Sequence, residues 1–306
     1  MFLHTGNLNV PENIRTIIDT LFVKNAKKSL DKLNLRHRHY IKSEKYKGEI
    51  HFSTGSNTAR SSSNFYALNN AIATLFEIRG VGIGKTSFKR RINSGLSVGF
   101  SFLKTAYENS IFIFDEIAKA NTYSNVIVLE HQRSIYTDVI KAIDIGSNEM
   151  IDFETTMHSS KDSYAISKRD RPLAYIIKQN NFGFIEKLKD VGIDYVELQK
   201  DTVIYSGGYR VIEFNDNFKV YEKMRMQKVV TSIEYNDNGF SKGDILISMN
   251  QKRSNLIAEL LEPEAPNSYV SFGIINTSLN SQLPIYRIKN LNLSLIHISE
   301  PTRQVL

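Results

Sequence analysis

Glu77 is the carboxylate best placed to do chemistry. It sits in the apolar run Thr74-Leu-Phe-Glu-Ile78, followed by Arg79 and a turn carrying Gly80, Gly82 and Gly84. An ionised carboxylate at the end of a buried strand is costly unless it is paired. The position therefore reads as a general base whose pKa burial would raise, or as half of a structural ion pair with Arg79 or Lys85. Three other patterns offer different chemistry. Gly80-Val-Gly-Ile-Gly-Lys-Thr86 has the composition of a phosphate cradle, but three residues separate Gly80 from Gly84 where a phosphate-binding loop needs four. His37 and His39 would share a face on a strand, yet His4, His51, His131 and His158 supply no third ligand at regular spacing. His297 and Glu300 form the H-x-x-E pair of the chain, a spacing that suits zinc on a helix. Pro301 follows it at once.

The elements that must position these residues can be read from periodicity. Pro11 opens an amphipathic helix through Ile14, Ile17, Ile18, Leu21, Phe22, Ala26, Leu30 and Leu33. A polar loop spans Ser53 to Ser63, and a short helix is expected from Phe65 to Ala73. Thr74–Ile78 reads as a buried strand. Phe100, Leu103, Tyr107, Ile111, Phe114 and Ala118 recur every three or four residues, so one long helix is expected from about Ser97 to Ala120. That helix absorbs Ile111-Phe-Ile-Phe-Asp-Glu116, which otherwise imitates the acidic strand of a nucleotide hydrolase. After Asn121 the texture turns to short strand-like runs, punctuated by Gly207-Gly208 and by Asn236 to Gly239, with one helix at Phe182–Val191.

With 306 residues, 41% hydrophobic and 23% charged, the chain has an ordinary globular composition. It has no cysteine, which excludes disulfides and thiolate chemistry. No apolar run is long enough for a membrane span. The net charge of +7 is uneven: residues 1–91 hold 16 basic and 6 acidic side chains. Lys89, Arg90 and Arg91 cluster, but no nucleic-acid module accompanies them, so no nucleic-acid partner is expected.

The stretch Ser61-Ser-Ser-Asn-Phe-Tyr-Ala-Leu through Glu77-Ile-Arg-Gly80 to Arg90-Arg-Ile92 resembles the C-terminal part of the catalytic domain of the M14 zinc carboxypeptidase family. Phe76-Glu77-Ile78-Arg79 fits that family's apolar–Glu–apolar–Arg pattern. Gly243 to Gln251, Ala258-Glu-Leu-Leu-Glu-Pro-Glu264, Asn267 to Gly273 and Arg171-Pro-Leu-Ala-Tyr175 resemble the C-terminal extension of a bacterial subgroup. The resemblance implies an α/β fold: residues 1–122 as the distal part of the catalytic domain, and 123–292 as a mostly β extension. It implies hydrolysis of a peptide or amide bond near a free C-terminal carboxylate, with Glu77 catalytic, and Arg79 and Arg60 binding substrate. Zinc is implied as cofactor, but the family's ligands would lie upstream of Glu77 and are not matched here. The chain therefore reads as a fragment that is inactive as written, with Met1 an internal methionine or false start. A periplasmic or extracellular setting is expected for the parent. Residues 293–306 resemble a translated sequencing adapter, which accounts for His297 and Glu300 without chemistry. Two alternatives stay open: a non-catalytic peptide- or peptidoglycan-binding module, and a P-loop-like nucleotide hydrolase.

Overall fold

The computed structural model describes residues 1–120, 124–178 and 182–290. His297, Glu300 and the suspected tail lie outside the described residues. The fold is mixed α/β with three sheets, as the resemblance implies. Two compact units form: Met1–Tyr123 with His131–Ile166, and Ser124–Glu130 with Ser167–Leu306.

In the first unit, β1 (Phe2–Leu3) leads to α1 (Glu12–Ile17), which runs through a π-helical stretch, Ile18–Val23, into α2 (Lys24–Asp31). Pro11 precedes the first turn, where a missing N–H costs nothing. Ile14, Ile17, Ile18, Phe22, Ala26 and Leu30 are buried along one stripe. The adjacent pair Ile17-Ile18 adds a residue to the 3.6 repeat, and the wider turn absorbs it while keeping both side chains inside.

A hairpin follows, β2 (Ile41–Tyr46) and β3 (Glu49–Thr54), turning at Lys47-Gly48 with φ of 48° and 89°. Two positive φ values are what a tight hairpin turn requires. Next come α3 (Ser62–Leu68), β4 (Leu75–Phe76), α4 (Phe88–Glu108) and α5 (Ser110–Ala120). The first unit also holds most of the long strands β5 (Val126–Ile143) and β6 (Met150–Asp170). One sheet has the order β2-β3-β6-β5, and β1 pairs with β4 in a two-stranded ladder.

Three sequence expectations are corrected here. The helix near Phe65 starts earlier and stops at Leu68, where Asn70 takes a left-handed φ of 56°. The long helix begins at Phe88 rather than near Ser97, running straight through Asn93, Ser94, Gly95 and Gly99. It also breaks at Asn109, whose side-chain amide donates to the Thr105 carbonyl at 2.9 Å and competes with the helix ladder. As expected, Ile111 to Glu116 is helical.

The faces of α4 invert the usual pattern. Its buried positions are Ser94, Val98, Ser101 and Thr105, and Asn25 of α2 donates to the Thr105 hydroxyl. Phe88, Ile92, Leu96, Phe100, Leu103 and Tyr107 are exposed.

The second unit adds β7 (Ala174–Ile177), α6 (Phe182–Asp190), β8 (Val196–Glu197), β9 (Thr202–Tyr221), β10 (Met224–Phe240), β11 (Ile245–Ser248), α7 (Ser254–Leu261) and β12 (Gln282–Ile288). Six strands form an antiparallel sheet in the order β10-β9-β12-β7-β11-β8. All four residues of β7 are buried. Tyr175 and Ile177 point into a core shared with α6 and α7. Ala174 and Ile176 point into a second cluster with Leu198, Phe240 and Tyr286. A strand covered on both faces reads as an unbroken apolar run rather than an alternating one, which is why this segment was legible as a strand.

The Glu-Pro-Glu block after α7 has a structural role. Glu262 is fully buried. It accepts from the hydroxyls of Tyr175 and Tyr209 and from Arg169, and it faces the Arg287 guanidinium at 3.3 Å. Glu264 accepts from Arg169 and from the backbone and hydroxyl of Thr231. Burial alone would lower the Arg169 pKa, but the Glu264 hydrogen bonds and the charge of Glu262 raise it. Burial, then the Glu262 charge, pushes both tyrosine pKa values far up.

Candidate functional site

Glu77 stands one residue beyond β4, which is only two residues long. Phe2 pairs with Phe76 and Leu3 with Leu75. The ladder then closes on main chain, the Glu77 N–H donating to the Met1 carbonyl at 2.8 Å and the Met1 ammonium donating to the Glu77 carbonyl at 2.7 Å. Burial lowers the Met1 ammonium pKa, and the nearby Glu77 charge opposes this.

The Glu77 side chain is exposed, and β4 is only half-buried. This corrects the buried-strand expectation. A two-residue strand with one equally short neighbour covers too little surface to desolvate the carboxylate. Neither the Glu77–Arg79 nor the Glu77–Lys85 ion pair forms among the described residues.

Glu77 and Arg79 open together onto a cavity of about 980 Å³ within the first unit. Its wall also carries Arg36, Arg38, Arg90, Lys141, His37, Asp31 and Asp138. Five cationic side chains against three carboxylates make this an anion-attracting space. Each is placed by a different device. Arg36 and Arg38 sit on the segment after α2, held where the Phe2 N–H donates to the Arg38 carbonyl at 3.0 Å. Arg90 lies in the first turn of α4 and donates to the Arg79 carbonyl at 2.7 Å, tying the end of the glycine turn to the helix. Asp138 and Lys141 come from β5. His37 binds Asp31 at 2.8 Å.

Arg60, the other expected substrate contact, is exposed in the loop before α3 and is not part of this wall. Sequence reading missed Arg36, Arg38 and Lys141. The alternating Arg-His-Arg-His run is visible in the sequence, but its histidine spacing raises only a metal pair without a third ligand, and its arginines read as a solvated surface. In the structure its histidines diverge: His39 accepts from Lys27 at 3.1 Å while His37 faces Asp31.

The glycine turn forms a 3-10 segment, Val81–Ser87, with Gly80 at φ 127° and Gly84 at φ 66°. Its residues Val81 to Thr86 are all exposed.

Among the described residues there is no group of three or more His, Asp or Glu side chains able to hold a metal ion. The cavity wall offers one histidine, already engaged by Asp31, amid guanidinium groups that repel a cation. The residues present do not fit zinc.

This chain is distantly similar to fungal carboxypeptidase 2. It is 27% identical over 294 residues to carboxypeptidase 2 of Trichophyton equinum, covering 94% of this chain and 55% of the relative. The same identity and coverage hold for carboxypeptidase 2 of Trichophyton rubrum. A probable carboxypeptidase 2 of Arthroderma benhamiae is 26% identical over 86% of this chain and 51% of its own length. The chain spans about half the length of the curated relatives it matches. No family model matches it, and no solved structure does. No helix among the described residues is long and apolar enough to cross a membrane.

Proposed function

We propose that the chain belongs to an M14-like zinc carboxypeptidase, with residues 1–122 as the distal part of the catalytic domain and 123–292 as its extension. Its substrates are peptides with a free C-terminal carboxylate, and the parent enzyme works in the periplasm or outside the cell. The observation that carries this reading is the opening of Glu77 and Arg79 onto one cationic cavity, in a chain similar to carboxypeptidase 2 along nearly its whole length.

In that cavity Arg79, two residues beyond Glu77 on the same wall, supplies a guanidinium for the substrate carboxylate, a bidentate match that lysine cannot make. The surrounding arginines raise the local concentration of anionic peptide. Glu77 takes a proton from the attacking water as the oxygen–carbon bond forms. It returns that proton to the amine as the carbon–nitrogen bond breaks. The described residues do not supply the zinc ligands, so the chain alone is inactive in this reading. The exposure of Glu77 favours a second reading, a non-catalytic peptide-binding module, because a solvated carboxylate lacks the burial that tunes a general base.

Zinc content after dialysis and hydrolysis of an N-blocked dipeptide, measured on the chain and on Glu77→Gln, test the division of labour. Neither protein is expected to keep stoichiometric zinc or to turn over substrate above background. One retained zinc per chain, with turnover falling about 10³-fold in Glu77→Gln, would contradict it.

A further inference from the structure

We infer that the cationic cavity selects peptides whose C-terminal residue is itself acidic, glutamate above all. The inference rests on the carboxypeptidase reading and names the substrate class that the same cavity prefers.

The charge of the wall exceeds what one carboxylate needs. Arg79 alone can hold the substrate's C-terminus. Of the other cations, Arg90 donates to the Arg79 carbonyl and Lys141 pairs with Asp152. Of the carboxylates, Asp31 is engaged by His37, and Asp138 accepts from the Val139 N–H at 2.9 Å. Arg36 and Arg38 have no side-chain partner among the described residues, and both line the cavity from one short segment. Like charges gathered without a counter-charge repel each other. A second anionic group on the ligand relieves them.

Strand pairing sets the spacing. Phe2 bridges His39 in parallel on one side and pairs with Phe76 in antiparallel on the other. Arg38 and Glu77 are therefore the first residues beyond that row on its two flanks, and they lie on the same side of it. The Phe2 N–H donating to the Arg38 carbonyl and the Glu77 N–H donating to the Met1 carbonyl fix both. Two strand spacings put their backbones roughly 10 Å apart. Arginines reaching into such a gap from both flanks suit two carboxylates on one residue better than carboxylates several residues apart. Glutamate spans more of the gap than aspartate.

The space is adequate. A cavity of about 980 Å³ is at the upper end of the ~300–1,000 Å³ usual for ligand sites, so a terminal glutamate fits with the residue before it. The apolar part of the wall, Leu30, Leu35, Ile78 and Val139, concentrates the field of the arginines.

The probes are N-acetyl-alanyl-glutamate, N-acetyl-alanyl-glutamine and N-acetyl-glutamyl-alanine, each with a free C-terminal carboxylate, titrated calorimetrically into the full chain. The alanyl-glutamate peptide should bind about 10-fold or more tightly than the alanyl-glutamine peptide. It should also outbind glutamyl-alanine, which carries the same charge one residue away. Arg36→Ala and Arg38→Ala together should abolish both preferences, with circular dichroism unchanged, since both side chains are exposed. Equal binding of the glutamate and glutamine peptides would overturn the inference. So would equal binding of the two dianionic peptides, which reduces the effect to general attraction, or a glutamate preference that survives the double substitution. The C-terminal amide of alanyl-glutamine separates the two readings. If the glutamine peptide outbinds its amide while glutamate gains nothing, the acidic seat falls and the carboxypeptidase reading stands. If the glutamine peptide and its amide bind alike, the carboxypeptidase reading falls and takes the inference with it.

Discussion

Glu262→Ala is expected to unfold or nearly unfold the second unit, at a cost of about 3–5 kcal/mol. The carboxylate is fully buried and holds four groups at once: Tyr175, Tyr209, Arg169 and Arg287. Truncation leaves the Arg287 guanidinium, itself 1% exposed, without its counter-charge. It also strips two buried hydroxyls of their acceptor. The loss therefore exceeds the net worth of the ion pair, because the unpaired groups stay desolvated. Against a total stability of about 5–15 kcal/mol, this removes most of the margin of a domain at the low end of that range. Thermal unfolding by circular dichroism checks this, with Glu262→Gln as the shape-preserving comparison. Gln keeps some hydrogen bonds but not the charge, so it should fall between the wild type and Ala. A loss under about 1 kcal/mol for Ala would mean the network is not closed as described.

The second large effect is a pH dependence centred on His4. The ring is 3% exposed and meets the His39 ring edge-on at 5.4 Å. Burial lowers its pKa to about 4; Asp19 opposes the shift, while His39 and Lys161 add to it and Asp162 opposes again. A folded-state value below the unfolded ~6.5 means that the fold prefers neutral His4. Its contribution is complete above about pH 6.5 and is lost as the pH falls towards 4. At about 1.4 kcal/mol per unit, the window is worth roughly 2–3 kcal/mol. His39 is shifted downward as well, by burial and then by Lys27, and acts in the same direction. Urea unfolding at pH 7.5 and pH 4.5, compared with His4→Gln, isolates the effect. The wild type should lose stability faster than the variant across this interval, and parallel profiles would assign the loss to other groups.

These two networks show what a sequence can and cannot disclose. The buried strand Ala174–Ile177 and the helix from Pro11 were legible because each carries its burial in its own periodicity. Glu262 was noticed as part of a Glu-Pro-Glu block, but its partners lie on β6, β7, β9 and β12, up to 93 residues away for Arg169. No local spacing brings them together. Glu77 fails differently. The run Thr74–Ile78 has strand composition, yet burial depends on how many neighbours flank it, and β1 offers two residues. The break at Asn109 is likewise a contest between one side-chain amide and the helix ladder, which apolar periodicity does not register. The cavity assembles Arg36, Arg79, Arg90 and Lys141 from four separate segments, so apart from Arg79 its charge was visible only as an excess of basic residues before position 92, and Lys141 not at all.

The central claim, that Arg79 beside Glu77 marks a seat for a peptide C-terminus, is tested most directly by calorimetric titration of the chain with two ligands: an N-blocked dipeptide with a free C-terminal carboxylate, and the same dipeptide as its amide. The carboxylate form should bind about 10-fold or more tightly than the amide, as expected for a charge-assisted hydrogen-bonded pair, and Arg79→Ala should erase the difference. Equal affinity for the two ligands, or a preference that survives Arg79→Ala, would contradict it.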